Sequence, residues 1–202
     1  MISLDKRTKC NAMVNQRLAE VVDLHMQVKQ ACWNVKRTPS TSLHELFEEI
    51  AWEVACITDM VAERIVQLGG MARGTVRTAA VHSRLVEYPS MAGNRDHVEA
   101  VARVLSDFGR QARKAVEEAL ALEDSDTADL FTEIHHGIDK WLWIVQGHAK
   151  AARYQGHKNE PFKANTASGF RLLMKFKQGN QNLRKGILCQ SSITSTLRTA
   201  HR

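Results

Sequence analysis

Residues 29–50, KQACWNVKRTPSTSLHELFEEI, join two segments with helical periodicity and contain residue types that are typical of metal sites. Pro39 ends the first segment, because proline lacks a backbone donor and cannot continue a helix. A second helix is predicted to begin near Ser42, where Ser-Leu-His-Glu has the order of a capping box. His44 and Glu48 then lie one turn apart on this helix, shortly after a Cys-Trp pair. Their spacing is compatible with binding of a metal ion.

Apolar periodicity and helix-stop residues predict four long helices around this stretch. They span about residues 4–35, 42–68, 95–122 and 125–154. Gly69-Gly70 is a strong signal for the end of the second helix, and Ser125 or Asp126 is placed to cap the fourth. A short helix is predicted in the connector at about residues 75–85. Four helices with one long connector predict an all-α, ferritin-like four-helix bundle with a crossover between helices two and three.

The composition fits a packed, helix-rich protein of a reducing compartment. Of the 202 residues, 44% are hydrophobic and only three are proline. No apolar run reaches the roughly 18 residues of a membrane helix, and the N-terminal sequence MISLDKRTKCNAMVNQRL lacks the apolar stretch of a signal peptide. The four cysteines, Cys10, Cys32, Cys56 and Cys189, form no C-x-x-C pair. We therefore predict a cytoplasmic protein without a membrane span.

Charge is distributed unevenly along the chain. Residues 1–160 contain 20 Lys and Arg and 22 Asp and Glu, a net charge of −2, whereas residues 161–202 contain eight Lys and Arg and no acid. The sequence predicts a domain at residues 1–157 followed by a basic, flexible tail at residues 158–202. Such asymmetry is typical of proteins that contact polyanions such as nucleic acid. The alternative is a solvated tail that binds nothing specific.

The second predicted helix has two distinct faces on a helical wheel. The face predicted to enter the core contains Leu43, Leu46, Phe47, Ile50, Val54, Ile57, Val61 and Ile65. The other face contains His44, Glu48, Asp59 and Glu63, with Ala51, Trp52, Ala55 and Ala62 among them. Small residues and one large aromatic on a polar face favour close approach by another protein surface.

The spacing on the polar face excludes a site in which one helix supplies all four ligands. Glu48 and Asp59 are 11 residues apart, which is roughly 16 Å along a helix that rises about 1.5 Å per residue. An identical helix packed antiparallel, with a twofold axis near Trp52, would bring His44 and Glu48 of one chain beside Asp59 and Glu63 of its mate. The pattern predicts an isologous dimer with two symmetric metal sites. The alternative is a solvated polar face that holds no metal.

Four stretches of the chain resemble one known family. KQACWNVKRTPSTSLHELFEE resembles the first signature of the Dps family, the DNA-binding ferritin-like proteins from starved cells, and TDMVAERIVQLGGMARGT resembles the second. RTAAVHSRLVEYP and DTADLFTEIHHGIDKWLW are also similar, so that the resemblance covers about residues 8–154. It implies a shell of twelve four-helix subunits built from twofold dimers. Such a shell oxidises Fe(II), preferably with hydrogen peroxide, stores ferric iron and protects DNA.

The resemblance also implies roles for individual residues. It places iron ligands of one subunit at Cys32, His44 and Glu48 and those of its neighbour at Asp59 and Glu63, with Trp33 beside the site. Glu45 and Glu49 match positions associated with mineral nucleation, although glutamates are also ordinary on a helix surface. The candidates for an acidic entry pore are Asp126, Asp129 and Glu133. For these three the alternative is helix capping and compensation of the helix dipole.

Two positions depart from the family pattern. Cys32 stands where the family has histidine, and Arg37 stands where it has glycine. A thiolate is softer than an imidazole and forms only when a proton with a pKa of about 8.5 is lost, so we expect a weakened ferroxidase site. Cys32 is then either a metal ligand or a small buried thiol beside the site. Arg37 is expected to cost roughly 1 kcal/mol if the backbone there keeps a left-handed conformation.

The basic tail has no counterpart in the resemblance. Its predicted DNA contacts are Lys163, Arg171, Lys175, Lys177, Arg184, Lys185, Arg198 and Arg202. The tail is either a DNA-binding extension or read-through sequence. The predicted function is a nucleoid-associated Dps-like ferritin that binds DNA without sequence preference. The rival function is a structural nucleoid protein with impaired iron oxidation, and a third alternative binds iron but has a tail without function.

Overall fold

The computed structural model describes residues 3–36, 43–90 and 93–155, and all regular structure in these ranges is helical. The helices are α1 (Leu4–Asn34), α2 (Leu43–Gln67), α3 (Val76–His82), α4 (Asn94–Ala121) and α5 (Ser125–Gln155). The four long helices agree with the predicted spans to within about a residue at each end, and the short connector helix is present but shorter than predicted. Ser42, Arg37 and the predicted domain boundary after residue 157 lie outside the described residues.

The glycine pair after α2 ends the helix as predicted. Gly69 has a φ of +76°, in the left-handed region that glycine adopts without a steric penalty. The amide of Gly70 donates to the carbonyl of Ile65 at 2.9 Å, and the amide of Gly69 donates to the carbonyl of Val66 at 2.8 Å. These two bonds satisfy carbonyls that the helix itself leaves without a donor.

Contacts at both ends of α1 show that α1 and α2 are antiparallel. Near the start of α1, Asn11 Nδ2 donates to the carbonyl of Leu68, which follows α2, at 3.1 Å. Near the end of α1, Cys32 Sγ lies 3.5 Å from His44 Nδ1 at the beginning of α2. The two helices therefore run in opposite directions, with the end of α1 beside the start of α2.

Helix α4 also runs antiparallel to α1, so that α2 and α4 point the same way. Arg17 Nη1 donates to the side-chain oxygen of Gln111 at 2.8 Å, whereas the amide of Lys36 donates to Asn94 Oδ1 at 2.7 Å. Two parallel neighbours in the chain require a connector that travels the length of the bundle. The predicted crossover between the second and third long helices is confirmed.

Polar side chains of α1 hold the crossover in place. Gln16 Nε2 donates to the carbonyl of His82 at 2.7 Å, and Gln27 Nε2 donates to the carbonyl of Val86 at 3.0 Å. Because these carbonyls lie in or beside an irregular segment, the two glutamines supply donors that a continuous helix would have provided. The connector is thereby fixed along α1.

The core consists of the apolar stripes of the four long helices. All eight apolar residues predicted on the core face of α2 are 6% exposed or less, and Phe47, Phe108 and Phe131 are fully buried. Ala51 was predicted on the outer face, but this was wrong, since it is only 3% exposed. It lies about 80° from Leu43 on the helical wheel, at the border between the two faces, and its small side chain fits the core edge. None of the described helices combines the length and apolar character needed to cross a membrane.

Candidate metal centre

His44 is held at the start of α2 by a hydrogen bond to the end of α1. Its Nδ1 lies 3.0 Å from the carbonyl oxygen of Cys32. That carbonyl is among the last four of α1, which lack an intrahelical donor. Because a carbonyl only accepts, Nδ1 is the donor, and in the neutral imidazole the lone pair is then on Nε2. A histidine that donates through one nitrogen to a backbone carbonyl is oriented to bind a cation through the other.

The Cys32 side chain packs beside the protonated nitrogen of this histidine. Cys32 is 2% exposed, and its Sγ lies 3.5 Å from His44 Nδ1 and 3.8 Å from the carbonyl oxygen of His44. The Cys32 sulfur therefore lies next to Nδ1 of His44, whereas a cation would bind at Nε2 of the same ring. This geometry favours the buried-thiol alternative over the ligand alternative. The ligand role of Cys32 remains a prediction.

The carboxylates predicted as ligands lie on the outer face of α2 and point away from the core. Glu48, Asp59 and Glu63 are all exposed, and His44 is half-buried. In the part of the chain that the structure describes, no three His, Cys, Asp or Glu side chains converge on one point. A single subunit thus brings Cys32 and His44 together but leaves Glu48, Asp59 and Glu63 spread along the helix. A metal site built from these residues would need further ligand atoms from outside the single subunit.

Two tryptophans lie on the helices that carry the predicted ligands, one on α1 and one on α2. Trp33, predicted beside the site, is 63% exposed in the last turn of α1. The ammonium of Lys29 lies 5.8 Å from the centre of its ring, a cation–π contact. Trp52 is half-buried midway along α2. An aromatic side chain with most of its surface in water is an energetically favourable element of a protein contact.

The pore candidates form an exposed acidic row on the first turns of α5. Asp126, Asp129 and Glu133 are all exposed, and their spacing of three and four residues places them on one side of the helix. Arg64 Nη1 lies 3.6 Å from Asp126, so this carboxylate is partly neutralised. Glu45 is exposed and Glu49 is half-buried on α2. The pore and mineral-nucleation roles remain predictions.

The prediction that Ser125 or Asp126 caps α5 is wrong, because Asp124 does so. Its Oδ1 accepts from the amide of Thr127 at 3.2 Å, and its Oδ2 accepts from the Thr127 hydroxyl at 2.6 Å. Asp124 is 1% exposed and is reached by Arg64 at 2.6 Å. The positive charge of Arg64, which is distant in the chain, stabilises the buried carboxylate of Asp124. The cap therefore lies one residue before the predicted Ser125.

A buried polar cluster that sequence reasoning missed surrounds this cap. We define the Arg64 cluster as Cys10, Arg64, Asp124 and Thr127. Arg64 Nε donates to the Thr127 hydroxyl at 2.8 Å, and Cys10 Sγ donates to Asp124 Oδ2 at 3.1 Å. Burial, followed by the bond to Asp124, raises the pKa of the Cys10 thiol to about 11. Cys10 and Asp124 are 114 residues apart, and no local motif links them, so the sequence carried no signal for the cluster.

The charge in the Arg64 cluster is concentrated on Asp124 and Arg64. Burial by itself would raise the pKa of Asp124. Hydrogen bonds from Thr127 and Cys10, together with the positive charge of Arg64, outweigh burial and hold that pKa below its ordinary value. Asp124 is therefore ionised at neutral pH and fully paired inside the protein.

The predicted DNA contacts all fall in the tail, outside the described residues. The basic residues near the N-terminus, by contrast, are described. Lys6 pairs with Glu123 at 2.6 Å, and Lys9 pairs with Asp5 at 2.7 Å. Much of the N-terminal positive charge is thus already neutralised by neighbouring carboxylates.

Comparison with known proteins agrees with this architecture. Residues 11–153 match the family model for the ferritin-like domain. A DNA protection during starvation protein from Agrobacterium fabrum is 33% identical over 139 residues, which are 68% of this chain and 86% of that protein. The solved structure of DpsA14 from Streptomyces coelicolor is 28% identical and has a TM-score of 0.69, over 73% of this chain and 88% of that one.

A more distant structure shares the fold alone. The Dps protein from Vibrio cholerae is 21% identical with a TM-score of 0.67, over 72% of this chain and 92% of that chain. It is described as a member of a broad superfamily of ferritin-like diiron-carboxylate proteins. With the bundle, its crossover and the two signature regions in place, the chain belongs to the Dps family of ferritin-like proteins.

Proposed function

We propose that this protein takes up Fe(II) as a substrate and oxidises it, with hydrogen peroxide as the preferred oxidant, at sites shared by two subunits, and stores the ferric product. The observation that carries the proposal is the hydrogen bond from His44 Nδ1 to the Cys32 carbonyl, 3.0 Å long. This hydrogen bond leaves Nε2 of His44 available to bind a cation. His44 lies at one end of the α2 face that also carries Glu48, Asp59 and Glu63. Membership of the Dps family supports the same role.

The donor set fits iron. Imidazole and carboxylate oxygens are suitable ligands for Fe(II), and exposed carboxylates also attract a hydrated cation. In the proposed dimer, His44 and Glu48 bind from one subunit while Asp59 and Glu63 bind from the other. His44 supplies an oriented lone pair, and the carboxylates offset the charge of the bound ion. Iron supplies the redox chemistry, and the protein holds it in a fixed place.

An anaerobic Fe(II) titration followed by addition of peroxide tests this proposal. The wild-type protein should bind Fe(II) saturably and oxidise it on addition of peroxide. His44→Ala and Asp59→Ala should each lose most of the binding, since each removes a ligand from one side of a shared site. Glu117→Ala, an exposed carboxylate on α4, is the matched control and should bind normally. Equal binding by all four proteins would rule out this site.

The assembly proposed is a dimer about the outer face of α2, extended to twelve subunits as the family resemblance implies. Trp52 lies near the proposed twofold axis. Trp52→Glu should separate the subunits, because it places two like charges together in an interface. Light scattering should report the loss of assembly, with Trp52→Phe as the conservative control. A stable wild-type monomer at micromolar concentration would exclude the proposed assembly.

We also propose that the tail, residues 158–202, binds DNA without sequence preference. The ion pairs of Lys6 and Lys9 with neighbouring carboxylates support the tail over the N-terminus as the source of free positive charge. Binding through phosphates should weaken with salt, with a slope near −0.9 per contact on duplex DNA. Removal of residues 161–202 should abolish gel retardation and leave iron uptake intact. Unchanged retardation and slope would show that the tail is not the DNA-binding element.

A second candidate function is a structural nucleoid protein that keeps the shell but oxidises iron poorly. The burial of Cys32, at 2% exposure, favours it, because the usual histidine ligand is replaced by a side chain turned to the core. Peroxide consumption per bound Fe(II) separates the two functions. Slow consumption with normal assembly and DNA binding would favour the structural role. Both functions place the protein with DNA in the cytoplasm.

A further inference from the structure

We propose that Tyr88 and His97 form a redox pair that gives one electron to hydroxyl radical formed from Fe(II) and hydrogen peroxide at the candidate metal centre. The inference rests on the proposed function, because that reaction supplies the oxidant. It goes beyond that function, since it assigns a second reactive site, outside the metal ligands, that removes the radical before it reaches DNA.

A short hydrogen bond joins the two side chains. The hydroxyl oxygen of Tyr88 lies 2.6 Å from Nδ1 of His97, and the two rings are stacked with centroids 6.1 Å apart. His97 is 3% exposed and Tyr88 is half-buried. Tyr88 belongs to the connector and His97 to the beginning of α4, so the fold itself brings the phenol and the imidazole together.

The protonation of the phenol determines what its oxidation requires. Burial raises the pKa of Tyr88 to about 12, so the phenol keeps its proton at neutral pH. We assign it as the donor and Nδ1 of His97 as the acceptor. A phenol that loses one electron becomes a strong acid, and its proton passes to a base within hydrogen-bond reach. His97 is that base, so the electron leaves the pair while the proton stays in it.

Helix α4 places His97 at the end of the bundle that carries the candidate metal centre. Asn94, one turn before His97, accepts from the amide of Lys36 at 2.7 Å and donates to the carbonyl of Lys36 at 3.0 Å. Lys36 follows Cys32 by four residues, and the Cys32 carbonyl is bonded to His44. The beginning of α4 is therefore fixed to the same end of α1 as the candidate iron ligand His44.

The connector places Tyr88 at a similar level along α1. Gln27 Nε2 donates to the carbonyl of Val86, two residues before Tyr88, at 3.0 Å. Gln27 precedes Cys32 by five residues, which is roughly 8 Å along a helix that rises about 1.5 Å per residue. A radical formed beside His44 thus arises at the same end of the subunit as the phenol.

The reaction of the pair balances in three steps. Fe(II) gives one electron to hydrogen peroxide, which breaks into hydroxide and hydroxyl radical, and the iron becomes Fe(III). The hydroxyl radical takes one electron from Tyr88 and becomes hydroxide, while the phenolic O–H bond breaks and an N–H bond forms at Nδ1 of His97. A second Fe(II) then reduces the phenoxyl radical and becomes Fe(III), and the proton returns from Nδ1 to the oxygen. Both oxidising equivalents of peroxide are thereby consumed by iron.

Freeze-quench electron paramagnetic resonance of the full-length protein, mixed with Fe(II) and then peroxide, tests the pair. The chain has two tyrosines, so Tyr154→Phe is the matched control for Tyr88→Phe. The wild type and Tyr154→Phe should give a phenoxyl signal that narrows with ring-deuterated tyrosine, and Tyr88→Phe should lose it. Persistence of the signal in Tyr88→Phe, or its absence from a wild-type protein that oxidises Fe(II), would overturn the proposal.

The role of His97 as proton acceptor has its own test. His97→Phe keeps a ring of similar size but removes the acceptor, and circular dichroism verifies its fold. The phenoxyl radical should form more slowly in this variant than in the wild type. Independently of any variant, the wild-type radical should form more slowly in D2O than in H2O, because the proton moves with the electron. A bond with a structural role alone would show no such isotope effect, and that result would refute the assignment.

Oxidation of the iron-free protein separates the pair from the proposed iron chemistry. Azide radical, generated by pulse radiolysis, oxidises phenols without any metal and should produce the Tyr88 radical with the same isotope effect. If this radical forms in a protein that oxidises no Fe(II), the redox pair is supported while the iron function fails. If azide radical yields no phenoxyl radical at Tyr88, the pair is excluded whatever the result with iron.

Discussion

The two ends of α2 use polar residues in opposite ways. At its start, His44 is half-buried and Glu48 is exposed, and the imidazole contacts Cys32 through Nδ1, which leaves Nε2 available. Near its end, Arg64 is 13% exposed and donates to both Asp124 and Thr127. One end holds polar atoms open to an external partner, and the other end pairs them inside the subunit.

The difference separates residues that can bind from residues that stabilise. Buried polar groups must be paired within the fold, because leaving them unpaired costs roughly 1–3 kcal/mol each. The Arg64 cluster meets that requirement entirely with its own chain. The polar side chains on the outer face of α2 are exposed to solvent. In the proposed dimer they pair with a cation and with a second subunit. Stability measurements should therefore respond to one end and metal binding to the other.

The largest effect is expected from Arg64→Ala. It leaves Asp124, 1% exposed, with a buried charge that lacks its cation, so the free energy of unfolding should fall by about 3 kcal/mol. Urea denaturation measures this change. Arg110→Ala is the control, since Arg110 pairs with Asp107 on the surface of α4 and is well exposed, and it should change stability by under about 0.5 kcal/mol. Equal losses in the two variants would contradict the distinction between the ends.

An intermediate effect is expected from Cys32→His at the other end of α2. An imidazole adds a ligand that suits Fe(II) better than a thiol, so affinity should rise by about tenfold, or about 1.4 kcal/mol. Anaerobic Fe(II) titration and the rate of peroxide-driven oxidation measure the change. Cys32→Ala is the matched control and should leave affinity unchanged if the thiol is not a ligand. A decrease in affinity in both variants would show that Cys32 is a working ligand.

The smallest effect is expected when the pH is lowered and the contribution of Asp124 to the free energy of unfolding is lost. Because the pKa of Asp124 is lowered in the folded protein, its ionised form stabilises the fold above the unfolded pKa of about 3.9. This contribution should be lost as the pH falls through the folded pKa. Urea denaturation between pH 7 and pH 3 should show a steeper decline for the wild type than for Asp124→Asn. Parallel declines would show that another group controls acid stability.

Local patterns were sufficient for the helices and for the surface that carries the candidate site. The apolar stripe of α2, from Leu43 to Ile65, is buried as its periodicity predicted, since a helix with one apolar face has one low-energy way to meet a core. Gly69 ends α2 because only glycine adopts a φ of +76° without strain. The exposure of Glu48, Asp59 and Glu63 follows from the same helical wheel, because these residues lie outside its apolar stripe.

Contacts between distant segments could not be predicted in this way. Ala51 lies at the border of two faces, so that only the packing of neighbours decided its burial. The cap of α5 was placed one or two residues late, because Asp124 is stabilised by Arg64, 60 residues away. Neither the composition nor the residue spacing indicated the neighbours that bury Ala51 or the pairing of Asp124 with Arg64.

The sequence by itself determined the bundle, its crossover and the outer face of α2, because each depends on residues close together in the chain. Tertiary structure alone decided that the Cys32 carbonyl orients His44, that the Cys32 thiol turns to the core, and that Arg64 serves Asp124. Hydrogen bonds and ion pairs act over about 3 Å in space, whatever the separation in sequence. Their partners are therefore chosen only when the helices pack.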